Sequence, residues 1–407
     1  MKKIDGGVCA ATGFKASGVY AVIKNNPSGK FDLALLMSDL PADTAAVFTT
    51  NQVKAAPVLV SIENLQKTGG KSSAVILNSK NANACVSDGY TNAKLECDFV
   101  SEHTGVNPDE VLVCSTGVIG QSLAIDKIKA AIPELVKKLS ADGNSDAATA
   151  IMTTDTVKKE YAVEFEIDGK VCKIGGMAKG SGMIAPNMAT TINVITTDVK
   201  IAPDLLRTAL SDVTEKTYNC LYIDGDMSTN DTVIIMANGL AKNPLIHKIN
   251  DNFEKFKNAL FHVMKNLTIM LAKDGEGASK LLTANVKNAP SFEVGRAVAK
   301  TVIGSDLLKC AMFGEDANWG RILCAIGYAP ADIEIAPIEV SLVSKRGEIL
   351  VCKNGEGLEF SEENASEILS EDEIEININL NQGSEAATAW GCDLTYDYVK
   401  INGDYRS

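Results

Sequence analysis

The sequence predicts a mixed α/β or α+β fold with substantial antiparallel hairpin content. Two patterns predict it: strict two-residue alternation marks half-buried strands, and three- and four-residue apolar spacing between them marks amphipathic helices. Residues 162–167 (Ala-Val-Glu-Phe-Glu-Ile) and 170–174 (Lys-Val-Cys-Lys-Ile) flank Asp168-Gly169, a two-residue type I′ hairpin signal. A second hairpin is expected from 338–343 and 349–352 around Arg346-Gly347. Residues 374–380 alternate strictly and form a further half-buried strand. Phe253, Phe256, Leu260, Val263, Leu267 and Leu271 recur at helical spacing over about five turns. A shorter helix starts near Pro203 and uses Leu205, Leu206, Leu210 and Val213. Pro133 is expected to open a helix rather than sit inside one, because it lacks the N–H and crowds the preceding turn. Residues 175–187 match neither period.

The chain has 407 residues, a net charge of −13, 45% hydrophobic and 22% charged residues, which excludes disordered, collagen-like and coiled-coil compositions. At about 150 residues per domain, two or three core-bearing units are expected. The acidic balance argues against nucleic acid as the main partner, since phosphate binding needs clustered Lys and Arg. No apolar run approaches the roughly 18 residues that cross a bilayer. The first residues lack the apolar stretch of a signal peptide, so a soluble cytoplasmic protein is expected.

The ten cysteines contain no C-x-x-C pair, and the three histidines (His103, His247, His262) show no metalloprotease spacing, so no metal is expected. So few histidines also leave little choice for a Ser-His-Asp triad, and a base other than imidazole has to be considered. Gly180-Ser181-Gly182-Met183-Ile184-Ala185 formally fits G-x-G-x-x-A, but Pro186 opposes the helix that a dinucleotide site needs there. The same segment leads into Thr190 and Thr191. A threonine hydroxyl is a poor nucleophile without a base beside it, and an N-terminal threonine carries one in its own α-amine, of ordinary pKa near 7.7–8.0. Thr190 is internal, so that solution requires cleavage of the Ala189–Thr190 bond. Small residues and glycines upstream allow the turn that would expose a scissile carbonyl.

The run from Lys179 through Gly180-Ser181-Gly182-Met183-Ile184-Ala185-Pro186-Asn187-Met188-Ala189 to Thr190 resembles the self-cleavage motif of the ornithine acetyltransferase (glutamate N-acetyltransferase) family. Colinear matches surround it: Val47-Phe48-Thr49-Thr50-Asn51, Asn81-Ala82-Asn83-Ala84-Cys85 and Ser115-Thr116-Gly117-Val118-Ile119-Gly120 before it. Asp224-Gly225-Asp226-Met227-Ser228-Thr229-Asn230-Asp231-Thr232, Lys273-Asp274-Gly275-Glu276-Gly277-Ala278, Asn318-Trp319-Gly320-Arg321 and the terminal Asn402-Gly403-Asp404-Tyr405-Arg406-Ser407 follow.

That resemblance implies layered sheets with helices and a precursor that cuts itself into an α chain, 1–189, and a β chain, 190–407. It implies Thr190 as nucleophile, Thr116 and Gly117 as oxyanion hole, and Thr153, Lys179, Thr190, Glu276, Asn402 and Ser407 as substrate-binding residues. It further implies acetyl transfer from N2-acetyl-L-ornithine to L-glutamate in arginine biosynthesis, by ping-pong kinetics through an acetyl-enzyme, with no cofactor. The two chains are expected to assemble as an α2β2 heterotetramer. No motif separates an enzyme that also takes acetyl-CoA from one that does not. The chain departs from the family at Thr191-Ile192, where Met-Leu is common, at Ser407 in place of Thr, at Lys80 in place of Gly, and at Glu315-Asp316-Ala317. A self-processed threonine amidohydrolase or aminopeptidase, with water as the acceptor, is the rival within the same chemistry. An acidic oligomeric binding protein that has lost processing is the non-catalytic rival.

Overall fold

The structure is a computed structural model that describes residues 1–23, 29–185 and 191–404. Ala189, Thr190 and Ser407 lie outside the described residues.

Two sheets form the frame. The first contains β1 (Lys2–Ile4), β2 (Phe14–Val19), β3 (Leu33–Phe48), β4 (Lys71–Asn78), β5 (Val111–Ser115), β6 (Lys159–Ile167), β7 (Lys170–Lys179) and β8 (Ile192–Thr197). The short β9 (Leu221–Tyr222) belongs to the second sheet, and β10 (Thr232–Ala237) returns to the first. The order across the first sheet is β1-β6-β7-β8-β10-β3-β4-β5, with β2 on the early part of β3. Most pairs are antiparallel, but β8 with β10 and β4 with β5 are parallel. The remaining strands are β11 (Leu281–Ala289), β12 (Glu339–Ser344), β13 (Gly347–Lys353), β14 (Glu356–Gly357), β15 (Glu373–Asn379) and β16 (Glu385–Cys392). They order as β14-β13-β12-β15-β11-β16-β9.

The two patterns hold up locally. β6 and β7 pair from Ile167↔Lys170 outward, and Asp168 and Gly169 both have positive φ (47° and 75°), as a type I′ turn requires. The second hairpin is present, with Ser344 opposite Gly347, so its turn sits on Lys345-Arg346, one residue earlier than expected. β15 alternates exposed and buried residues. Residues 175–179, expected to be irregular, instead continue β7 to Lys179, because Ile174↔Thr197 through Lys179↔Ile192 pair with β8. No helix starts within 180–185.

The helices are α1 (Ala56–Lys67), α2 (Gly89–Thr104), α3 (Ile125–Lys137), α4 (Asn144–Ala150), α5 (Pro203–Lys216), α6 (Asp251–Lys273), α7 (Phe292–Ile303), α8 (Asp306–Phe313), α9 (Trp319–Gly327), α10 (Glu362–Leu369) and α11 (Tyr396–Asp404). α6 buries the expected stripe and is capped by the Asn250 side chain on the Phe253 N–H. It packs on β6 and β7 of the first sheet and on β11 and β16 of the second, and so forms the layer between them. Pro133 corrects its expectation: it sits inside α3. The buried stripe Ile128, Ile132 and Leu135 runs past it. Pro133 and Lys129 lie on the exposed side, where water can reach the carbonyl that proline leaves unpaired.

Candidate active site

The open ends of three adjacent strands define one place in the first sheet. β7 ends at Lys179, β8 begins beside it at Ile192, and β10 begins beside that at Thr232. The residues after β5, Thr116 and Gly117, approach the same place. A cavity of about 140 Å³ opens there, lined by Thr116, Gly117, Thr153, Lys179, Glu276 and Asn402 among others. That is room for an amino-acid-sized molecule, well below the roughly 300–1,000 Å³ of drug-sized sites. All the site residues expected from sequence that lie within the described residues therefore share one cavity.

Each is placed by a specific local device. Gly117 has φ +132°, and a Cβ there would overlap the backbone of Lys80 and Asn81. The Thr116–Gly117 turn is wrapped by the 80–81 backbone, with Thr116 N–H on the Asn78 carbonyl at 3.0 Å and Val118 N–H on the Lys80 carbonyl at 3.3 Å. Lys80 itself has φ +79°, so the lysine occupies a conformation that glycine prefers. The Lys179 amine donates to Thr116 Oγ1 at 3.2 Å, which ties the end of β7 to the Thr116 turn. On the other wall, Asn402 Nδ2 from α11 donates to Glu276 Oε2 at 2.7 Å. Gly182 lets the Glu276 carboxyl lie against the backbone, since a Cβ at 182 would overlap it.

Beneath the cavity lies a buried ion network that sequence reasoning missed. The Lys159 amine bridges Asp155 and Asp274 at 2.6 Å each, and its side chain has no exposed surface. Asp155 accepts from Gly180 N–H at 2.7 Å and Thr153 N–H at 3.0 Å. Asp274 accepts from the Thr156 backbone and hydroxyl, and the Ser181 hydroxyl donates to the Asp274 carbonyl at 2.5 Å. One lysine thus fixes both the 153–156 turn and the start of the glycine-rich segment. Burial would raise the Asp155 pKa, but Lys179, Lys159 and the Gly180 N–H hold it down to about 2. Burial pushes Lys179 down, opposed by Asp155. The only sequence signal was the four-residue spacing of Asp155 and Lys159 and the presence of Asp274 in a quoted motif.

Asp231 was also missed, although it lies in another quoted motif. It lines the cavity, is buried, and its pKa stands well above the ordinary carboxylate range because of that burial. Lys179 and the backbone N–H groups of Thr191 and Ser228 oppose that rise. Thr191, the second residue after the expected scissile bond, has φ +144°, a region that β-branched residues rarely enter. Its hydroxyl accepts from Asn193 Nδ2. Among the described residues no group of three or more His, Cys, Asp or Glu side chains could hold a metal ion, and no helix is long and apolar enough to cross a membrane.

A mixed sheet-and-helix fold whose central strand ends frame a small cavity, with buried cations, carboxylates and a glycine-shaped turn, has the makings of an acyl-transfer enzyme. Residues 15–407 match the model of the ArgJ family, and the chain belongs to that family. The arginine biosynthesis bifunctional protein ArgJ of Caldanaerobacter subterraneus subsp. tengcongensis is 48% identical over 408 residues, covering 100% of each chain. ArgJ 1 of Clostridium acetobutylicum is 48% identical over 395 residues, 97% of this chain and 96% of that one. Among solved structures, ornithine acetyltransferase complexed with ornithine from Mycobacterium tuberculosis is 44% identical, with a TM-score of 0.41, over 45% of this chain and 96% of that chain.

Proposed function

We propose that this chain cuts itself between Ala189 and Thr190 and then transfers acetyl from N2-acetyl-L-ornithine to L-glutamate through an acetyl ester on Thr190. The observation that carries the reading is the convergence on one cavity of Thr116, Gly117, Thr153, Lys179, Glu276 and Asn402. Family membership and relatives named as bifunctional proteins of arginine biosynthesis support it.

In the uncut chain the Thr190 hydroxyl attacks the Ala189 carbonyl, and water opens the resulting ester. In the cut enzyme the new α-amine of Thr190 takes the hydroxyl proton as Oγ attacks the acetyl carbonyl of the donor. Thr116 and Gly117 stabilise the oxyanion, a contribution of about 2.7–4 kcal/mol per donor at such sites. Ornithine leaves with the proton, glutamate enters, and its amine takes the acetyl. Both substrates carry an α-carboxylate for Lys179, and Glu276, oriented by Asn402, accepts the ornithine ammonium. Thr153 and Ser407 complete the binding set. The products of cleavage stay together as an α2β2 heterotetramer in the cytoplasm.

Intact-mass measurement and a transfer assay test this together. The wild type should give two masses that sum to the precursor plus water, and Thr190→Ala should give one uncut, inactive chain. A Thr190→Ala chain that still splits would sink the nucleophile assignment and turn attention to Thr191. Release of acetate from acetylornithine at the same rate without glutamate would show a hydrolase instead. Running glutamate with acetyl-CoA as sole donor tells whether the enzyme also makes N-acetylglutamate that way.

A further inference from the structure

Asp231 has no role in the mechanism above, yet it is placed as if for one. It immediately precedes β10, and because Thr232 pairs with Ile192 in parallel register, Asp231 lies across from Thr191. Its neighbourhood is tightly held: Thr49 N–H donates to the Asp231 carbonyl and Thr232 N–H to the Thr191 carbonyl, each at 2.9 Å. Its side chain is 2% exposed, and Oδ2 has no hydrogen-bond partner among the described residues. The charged groups that bear on it are Lys179 directly and, through Lys179, Asp155, Lys159 and Glu276. A buried carboxyl with a free oxygen is costly unless a donor reaches it. Cleavage before Thr190 creates such a donor, an α-amine one residue from Thr191.

We propose that Asp231 is the partner of that new α-amine, holding it by Oδ2 and exchanging a proton with it. This rests on the cleavage proposed above. In the uncut chain nitrogen 190 is an amide and Asp231 keeps its proton. Ester formation breaks the Ala189–Thr190 C–N bond, moves the Oγ proton to the nitrogen and so frees the amine; hydrolysis then places a hydroxyl on the Ala189 acyl carbon and returns a proton to Thr190 Oγ. The Asp231 proton then moves to the amine nitrogen, leaving an ammonium beside a carboxylate. Its return to Asp231 frees the amine lone pair to act as base. Asp231 is thus a positioning residue that also sets the protonation of the base.

The test begins with intact mass and transfer activity of the wild type. A single uncut, inactive wild-type chain overturns the cleavage reading itself, whatever Asp231 does. Given cleavage, Asp231→Asn, a neutral isostere, should still fold and cut. Its kcat should fall on the order of tenfold or more, as loss of base function does, with KM nearly unchanged. The acid limb of kcat against pH should move to lower pH, because an ammonium without its carboxylate is more acidic. Asp231→Glu should move that limb back toward the wild type. An Asp231→Asn enzyme with wild-type kcat and pH limb overturns the proposal, as does one that folds but stays uncut. If Asp231→Asn does not fold, infrared difference spectra of Thr190→Ala against mature wild type decide. A protonated-carboxyl band present only in the uncut chain supports the exchange, and a null difference overturns it. Glu96, another buried acid, is common to both chains and cancels.

Discussion

Glu96 offers the sharpest test of the electrostatics. It lies on the buried face of α2 with Asn92, Ala93, Cys97 and Val100, and its side chain is 0% exposed. Neither carboxyl oxygen has a partner among the described residues, and burial alone pushes its pKa from 4.5 to about 8. A folded-state pKa above the unfolded one means that the folded chain holds the extra proton. The associated stability is complete below about pH 4.5 and is lost as pH rises toward about 8. Within that window each pH unit costs about 1.4 kcal/mol, so the step from pH 5 to pH 7 removes about 2.5 kcal/mol. With an unfolding entropy of about 2.1 cal/mol/K per residue, a chain of this length unfolding as one unit loses about 3 °C in Tm over that step. Glu96→Gln keeps the shape and cannot ionise. Scanning calorimetry of both proteins between pH 5 and 8 should show the wild-type Tm falling by that margin relative to the variant. Other titrating groups are shared and cancel in the difference. Parallel Tm curves would refute a neutral, unpartnered Glu96.

Three further outcomes are expected. Gly117→Ala should fold but lose on the order of 10²–10³ in kcat, because a Cβ would push the turn off the Lys80–Asn81 backbone; steady-state kinetics showing a wild-type kcat would remove Gly117 from the oxyanion hole. Lys159→Met leaves Asp155 and Asp274 without their shared cation and should cost about 3–5 kcal/mol; a Tm within a degree of wild type would show that the network is not what anchors the 153–156 turn. Lys80→Gly relieves a positive φ and should stabilise by about 1 kcal/mol, read as a small rise in Tm with kcat retained.

What the sequence revealed is what depends on neighbours along the chain. The β6–β7 hairpin was legible because alternation on both sides and Asp168-Gly169 between them are local signals. α6 was legible because its apolar stripe is continuous over many turns. Pro133 misled because local propensity argued for a boundary while burial of Ile128, Ile132 and Leu135 carried α3 through it. The cavity could not be derived from spacing at all: Lys179 meets Thr116 across 63 positions, and Asn402 meets Glu276 across 126. Resemblance supplied those residues, and the cavity brings together the ones described. It gave no role to Asp155, Lys159 or Asp231, whose charges in a sequence look like any solvated surface and acquire meaning only when buried. Glu96 was hidden for the same reason.

The sheet order bears on why a cut between 189 and 190 is compatible with a stable enzyme. In the first sheet, β8 and β10 from the later part of the chain lie between β7 and β3 from the earlier part. β8 is laddered to β7 on one side, and β10 to β3 on the other, each over six residue pairs. α6, also from the later part, covers β6 and β7, and α5 covers β3. A single apolar core includes Val163, Phe165 and Ile174 together with Leu206, Leu260 and Leu267. Neither product of such a cut owns the whole of the first sheet or of that core, although the second sheet lies entirely within 190–407. Hydrolysis would therefore remove one covalent link from between two strands that are already paired, and leave the forces that hold them together unchanged. A cut between 189 and 190 would divide the chain chemically without dividing it into domains. The same interleaving puts β7 and Lys179 from before the proposed cut beside β8 and β10 from after it, so a cavity built at those strand ends would be shared by both products and would require both.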